Sequence, residues 1–102
     1  MGGGAPVGRE LVCYIKPVAV PKFIASAFAH NVSQDSIVHA ITNALYHDDD
    51  YQPGSDPIKE LFLGPDVNGN LIEVFANYDE THQRFVIFHA MKMRTLFYDL
   101  LD

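Results

Sequence analysis

The chain has little cysteine, few cations and no long apolar run, and each shortage excludes a class of protein. Cys13 is the only cysteine among 102 residues, so an intrachain disulfide and a Cys-x-x-Cys metal site are both excluded. No apolar stretch approaches the roughly 20 residues that span a bilayer, and the N-terminal MGGGAPVGRE lacks the apolar segment of a signal peptide. We therefore expect a cytoplasmic protein with no membrane partner.

Acidic residues outnumber basic ones, thirteen to seven, which gives a net charge of −6. Such a chain gains no long-range attraction to nucleic acid, so RNA binding would require a local basic patch. The C-terminal half supplies a candidate patch, because Lys59, Arg84, Lys92 and Arg94 lie there. The aspartates at 48–50 concentrate negative charge instead and would suit a cationic partner.

The length and the ordinary globular composition predict one domain. We expect a flexible leader or extended arm at residues 1–19, where glycines come first and Pro17 interrupts a short β-prone run. The domain itself would then occupy residues 20–102.

Two helices are predicted in the N-terminal half. Apolar residues recur at helical spacing from Lys22, and Asn31 can end that helix in the left-handed conformation. Ser33 is a plausible N-cap for a second helix over residues 34–46, whose apolar stripe runs from Ile37 to Leu45.

Three short β-prone runs follow, at residues 58–64, 71–78 and 84–90. The Asn-Gly pair at 68–69 is a strong hairpin signal between the first two runs. Apolar spacing returns to helical at residues 95–101. The pattern therefore predicts an α+β fold with two N-terminal helices, a three-stranded or larger antiparallel sheet and a short C-terminal helix.

The segment VIFHAMKMR (86–94) contains a histidine followed by two cations, the residue types that act on phosphates. Strict strand alternation places Phe85, Ile87 and His89 on one sheet face and Val86, Phe88 and Ala90 on the other. A histidine at the end of a strand, followed by two cations, could act on a phosphate. The alternative is a histidine satisfied by the backbone, with solvated cations beyond it.

RNA cleavage by the adjacent 2′-hydroxyl requires a base for its proton, a cation for the phosphate and an acid for the leaving oxygen. The candidate catalytic residues are His89, Arg94 and Lys92. The candidate substrate-binding residues are Arg84, His30 and Tyr98. Neither a metal nor another cofactor is expected.

Two segments resemble bacterial toxins. FAHNVSQDSIVHAI resembles the helix–KHGVS–helix opening of BrnT-like toxins of the RelE superfamily. The second half is similar to small actinobacterial-type toxins with a GPD-x-x-GN-L-x-E-V hairpin and a HAMPMR-like segment. The matching positions are His30, Val32, Ser33, Gly64, Pro65, Asp66, Gly69, Asn70, Leu71, Glu73, Val74, His89, Ala90, Met91, Met93 and Arg94.

The resemblance covers about residues 20–101. It implies a RelE/BrnT-like toxin of a toxin–antitoxin system, acting as a metal-independent endoribonuclease on RNA or at the ribosome, and neutralised by a small cognate antitoxin. A non-catalytic, acidic protein-binding module with the same fold is the alternative. Local charge distinguishes them: an open electropositive surface around His89 favours the enzyme, whereas cations paired with carboxylates favour the module.

Overall fold

The computed structural model describes residues 19–101, so the predicted leader lies outside it except for residue 19. The strands of these residues form one mixed sheet in the order β1-β5-β4-β3-β2. They are β1 (Lys22–Phe23), β2 (Tyr46–Tyr51), β3 (Lys59–Pro65), β4 (Leu71–Asp79) and β5 (Arg84–Lys92). Helix α1 (Gln34–Thr42) packs on one sheet face, and 3-10 helices occupy Ala25–Phe28 and Thr95–Leu101. The predicted α+β class is confirmed.

The three predicted strands form the antiparallel meander β3-β4-β5, as expected. Gly69 has a φ of +87°, which suits glycine at the predicted Asn-Gly turn. The Asp66 carboxylate accepts hydrogen bonds from the backbone N–H groups of Asn68 and Asn70 and closes the turn. Among residues 19–101, no helix has the length and apolar character that crossing a bilayer requires.

The predicted first helix is wrong in type. Lys22 and Phe23 instead pair in parallel with Val86 and Ile87 of β5, and only one 3-10 turn follows. Backbone pairing with a distant strand outweighs the helical spacing of the apolar residues. Asn31 does adopt the predicted left-handed conformation, with a φ of 63°.

The second predicted helix is right in position but too long. It begins at the Ser33 cap, whose hydroxyl accepts from Ser36 N–H at 3.1 Å, and ends at Thr42. The Asn43 side chain donates to the His39 carbonyl at 2.9 Å and occupies an acceptor at the helix end. The chain then turns into β2, which pairs with β3 and contains the aspartates at 48–50.

The sheet has an apolar cluster on each face. The face under α1 contains Ile37, Ala40, Phe62, Ile72, Val74, Ala76, Phe85, Ile87 and Ala90. The opposite face contains Leu61, Leu63, Phe75, Met93 and Phe97, and is covered by the C-terminal 3-10 helix. Helix α1 lies so close to β3 that an added Cβ at Gly64 would overlap the backbone of Ala40.

A β-bulge in β5 corrects the predicted face of His89. Phe75 pairs with His89 and Ala76 pairs with Ile87, so Phe88 is an extra residue in β5. Ile87 and Ala90 consequently face α1, and His89 shares the opposite face with Phe75. Simple alternation had placed His89 with Ile87.

Candidate functional site

Glu73 is the centre of the candidate site. It lies in β4, and its side chain is fully buried. A buried carboxylate requires hydrogen-bond donors to offset its desolvation. Two residues supply them, and both are predicted catalytic residues.

Arg94 follows β5 and binds Glu73 through both its backbone and its side chain. Its backbone N–H donates to Oε1 at 3.0 Å, its Nε–H lies 3.1 Å from each oxygen, and one terminal nitrogen donates to Oε2 at 2.6 Å. This is the fork geometry that guanidinium and carboxylate groups favour. The arginine side chain remains 46% exposed, so its other N–H donors can reach solvent or a ligand.

His89 is the second partner. Its Nε2 lies 3.0 Å from Glu73 Oε2. An ionised carboxylate only accepts, so Nε2 carries the proton, and in the neutral ring Nδ1 can accept one. The bulge at Phe88 makes this contact available, because it places His89 on the sheet face that Glu73 occupies.

Glu73 is held in its ionised form. Burial alone would raise the pKa of Glu73, but the hydrogen bonds from Arg94 and His89 outweigh it and hold that pKa below the ordinary value of 4.5. The same carboxylate raises the pKa of Arg94 through their hydrogen bond. The cluster therefore contains a partly buried ion pair hydrogen-bonded to a histidine.

Three further predicted residues line one cleft of about 590 Å³, which lies where β4 begins and β5 ends. They are His30, Lys92 and Tyr98. The His30 ring lies 5.6 Å from the His89 ring, centroid to centroid, at an interplanar angle of 70°. Two imidazoles thus meet where the Glu73 cluster adjoins the cleft.

Arg84 stands apart from the other five predicted residues. It begins β5 and Lys92 ends it, so eight residue steps separate them, about 26 Å at the rise of a strand. Its Nε lies 3.9 Å from Asp79, whose pKa is lowered chiefly by a hydrogen bond from His82.

Local charge around His89 does not favour either function alone. Arg94 is paired with Glu73, and Arg84 lies near Asp79. Lys92 is exposed and makes no ion pair with any residue of the described range 19–101. Asp66 also lines the cleft, so one carboxylate offsets the charge of Lys92 there.

The residue that sequence reasoning missed is Glu73, which entered only as a position in the toxin-like hairpin. Its signal was a lone carboxylate within the apolar run LIEVFA, where strand alternation places it on the same face as Phe75. A buried carboxylate of this kind implies a cationic partner. Nothing local identified that partner as Arg94.

Comparisons with known proteins add no assignment: no protein-family model, curated protein or solved structure matches the chain. Within residues 19–101, no three His, Cys, Asp or Glu side chains are grouped as metal ligands would be.

Proposed function

We propose that the chain is a cytoplasmic toxin that cleaves RNA without a metal, and that a small cognate antitoxin covers its site. The observation that carries this proposal is the contact between the imidazoles of His30 and His89, together with Lys92, which lines the same cleft as His30. Two neighbouring histidines can divide base and acid roles between them.

His89 is the better candidate for the base. Its Nδ1 would accept the proton of the ribose 2′-hydroxyl, and Glu73 would stabilise the resulting imidazolium through Nε2. The 2′-oxygen would then attack phosphorus, and the bond from phosphorus to the 5′-oxygen would break. The products would be a 2′,3′-cyclic phosphate and a 5′-hydroxyl.

His30 is suited to the acid role, because it lines the cleft in which the leaving group would lie. It would donate a proton to the departing 5′-oxygen. The Lys92 ammonium would offset the charge that develops on the phosphate. Tyr98, which is 52% exposed at the same cleft, is placed to contact the substrate.

The experiment is an RNA cleavage assay with the purified chain in the presence of EDTA. Wild type should produce cyclic phosphate ends, and His89→Ala or His30→Ala should each lower the rate by about 10²- to 10⁴-fold. His82→Ala is the matched control, because His82 is exposed in the β4–β5 turn. Equal rates for all variants, or no cleavage by folded wild type, would reject the proposal.

A protein-binding module is the second candidate, and two observations favour it. Arg94 is already paired with a carboxylate, and edge strand β2 carries three aspartates next to a free sheet edge within the described part of the chain. A basic partner could pair there. Folded wild type that cleaves no RNA but binds a small basic protein would support this function, provided that Asp48→Asn/Asp49→Asn/Asp50→Asn weakens binding.

A further inference from the structure

A second depression lies near His89, on the sheet face that Glu73 occupies. Its volume is about 500 Å³, and we call it the aromatic depression. Its apolar lining comes from Ile24, Pro57 and Phe88, and its polar lining comes from Ser55, Lys59 and Asn77, together with Asp56. This combination of a flat ring, hydrogen-bonding groups and one cation matches the requirements of a nucleotide.

The ring of Phe88 is held in place from below. It stacks on Phe75 with the ring centroids 6.2 Å apart and the planes at 16°. Phe88 itself remains half-buried, while Phe75 is nearly covered. A partly exposed ring backed by a buried one offers a fixed surface to a base, and every base has a face that can stack.

Lys59 supplies a cation beside this surface. Its Nζ lies 5.6 Å from the centroid of the Phe75 ring and hydrogen-bonds to Gln52 at 3.0 Å. The side chain is therefore anchored over the Phe75 ring, where a phosphate next to a stacked base could meet its charge.

His89 joins this depression to the cleft. It follows Phe88 in the chain, its ring lies 5.2 Å from that of Phe75, and it contacts His30 of the cleft. We infer that the aromatic depression binds one base of a single-stranded RNA, which then crosses His89 into the cleft. This inference rests on the proposed function for the identity of the ligand.

The test uses a fluorescein-labelled 2′-O-methyl oligonucleotide of roughly six nucleotides, which lacks the attacking hydroxyl and is bound without being cleaved. Phe88→Leu keeps an apolar side chain but removes the stacking surface. It should weaken binding about 5- to 150-fold, the range that loss of one stacked base produces. Phe28→Leu is the matched control, since Phe28 stacks on Phe23 and lines neither cavity.

A second variant reports stacking directly. The chain contains no tryptophan, so Phe88→Trp introduces a single indole, whose emission should be quenched as the oligonucleotide binds. Equal melting temperatures for Phe88→Leu and wild type would exclude loss of the fold as the cause of weaker binding. Unchanged affinity of Phe88→Leu would overturn the inference, as would failure of wild type to bind the oligonucleotide.

The two proposals can fail separately. Binding of the oligonucleotide that quenches the Phe88→Trp emission, without cleavage of natural RNA, would reject the ribonuclease and support the base subsite. Cleavage by wild type, with equal binding and cleavage by Phe88→Leu, would support the ribonuclease and reject the base subsite.

Discussion

Replacing Glu73 with glutamine tests whether the buried carboxylate holds His89 and Arg94 in place. Glu73 accepts hydrogen bonds from the backbone and side chain of Arg94 and from Nε2 of His89. Glutamine keeps the shape but has a single acceptor oxygen, and its amide nitrogen would face donors. About half of these hydrogen bonds should therefore be lost.

The expected loss of stability can be worked from these contacts. A hydrogen bond to a charged group contributes about 1.5–3 kcal/mol. Because the Arg94 side chain is 46% exposed, water would replace part of what is lost, and we expect a net cost of about 2 kcal/mol. For a domain of this size that corresponds to a fall in melting temperature of roughly 8–16 °C.

The pH dependence gives the sharper measurement. The pKa of Glu73 is lowered in the folded state, so its stabilising contribution is present above the unfolded value, near 4.5, and is lost as pH falls through the folded pKa. Melting curves should therefore show a large difference between wild type and Glu73→Gln at neutral pH that shrinks below pH 4.5. Glu80→Gln is the control, because Glu80 is exposed. A difference that is absent at neutral pH, or constant at all pH values, would refute the reasoning.

Two further substitutions test the contacts that place α1 over the sheet. Gly64→Ala should destabilise the fold by about 1–3 kcal/mol in urea unfolding, because the new methyl group meets the Ala40 backbone; an unchanged midpoint would mean that α1 can move away from β3. Ser33→Ala should cost about 1 kcal/mol through loss of the helix cap. Ser33→Asp should restore that stability, and equal stability of all three proteins would show that the cap contributes nothing.

The meander could be predicted from the sequence because its signals are local. Each of its strands is a short β-prone run, and the Asn-Gly turn that joins the first two requires only neighbouring residues. Helix α1 was predicted for the same reason, since Ser33 caps it four residues before the buried Ile37. Its end was missed because the Asn43 side chain, rather than a change in apolar spacing, closes the helix.

The two outer strands depend on distant partners, which explains why they were not predicted. Lys22 is 64 positions from Val86, with which it pairs. The apolar residues that follow Lys22 have helical spacing, which does not indicate a strand or its partner. Strand β2 contains three consecutive aspartates, a residue type that is depleted in strands. Pairing with β3 overrides this local preference, and at a sheet edge the charges also discourage pairing with other copies of the chain.

The candidate site depends on Phe88, the extra residue of the β5 bulge, which the alternation of side chains along a strand cannot predict. Without the extra Phe88 in β5, His89 would share the α1 face with Ile87, and Glu73 would keep only Arg94 as a partner. The bulge moves His89 across the sheet, within 3.0 Å of Glu73 and beside His30. Phe88 lies on that face by ordinary alternation from Ile87, in the aromatic cluster around Phe75. A single backbone irregularity thus places the proposed base and the proposed stacking ring on one surface, so both proposals depend on the register of β5.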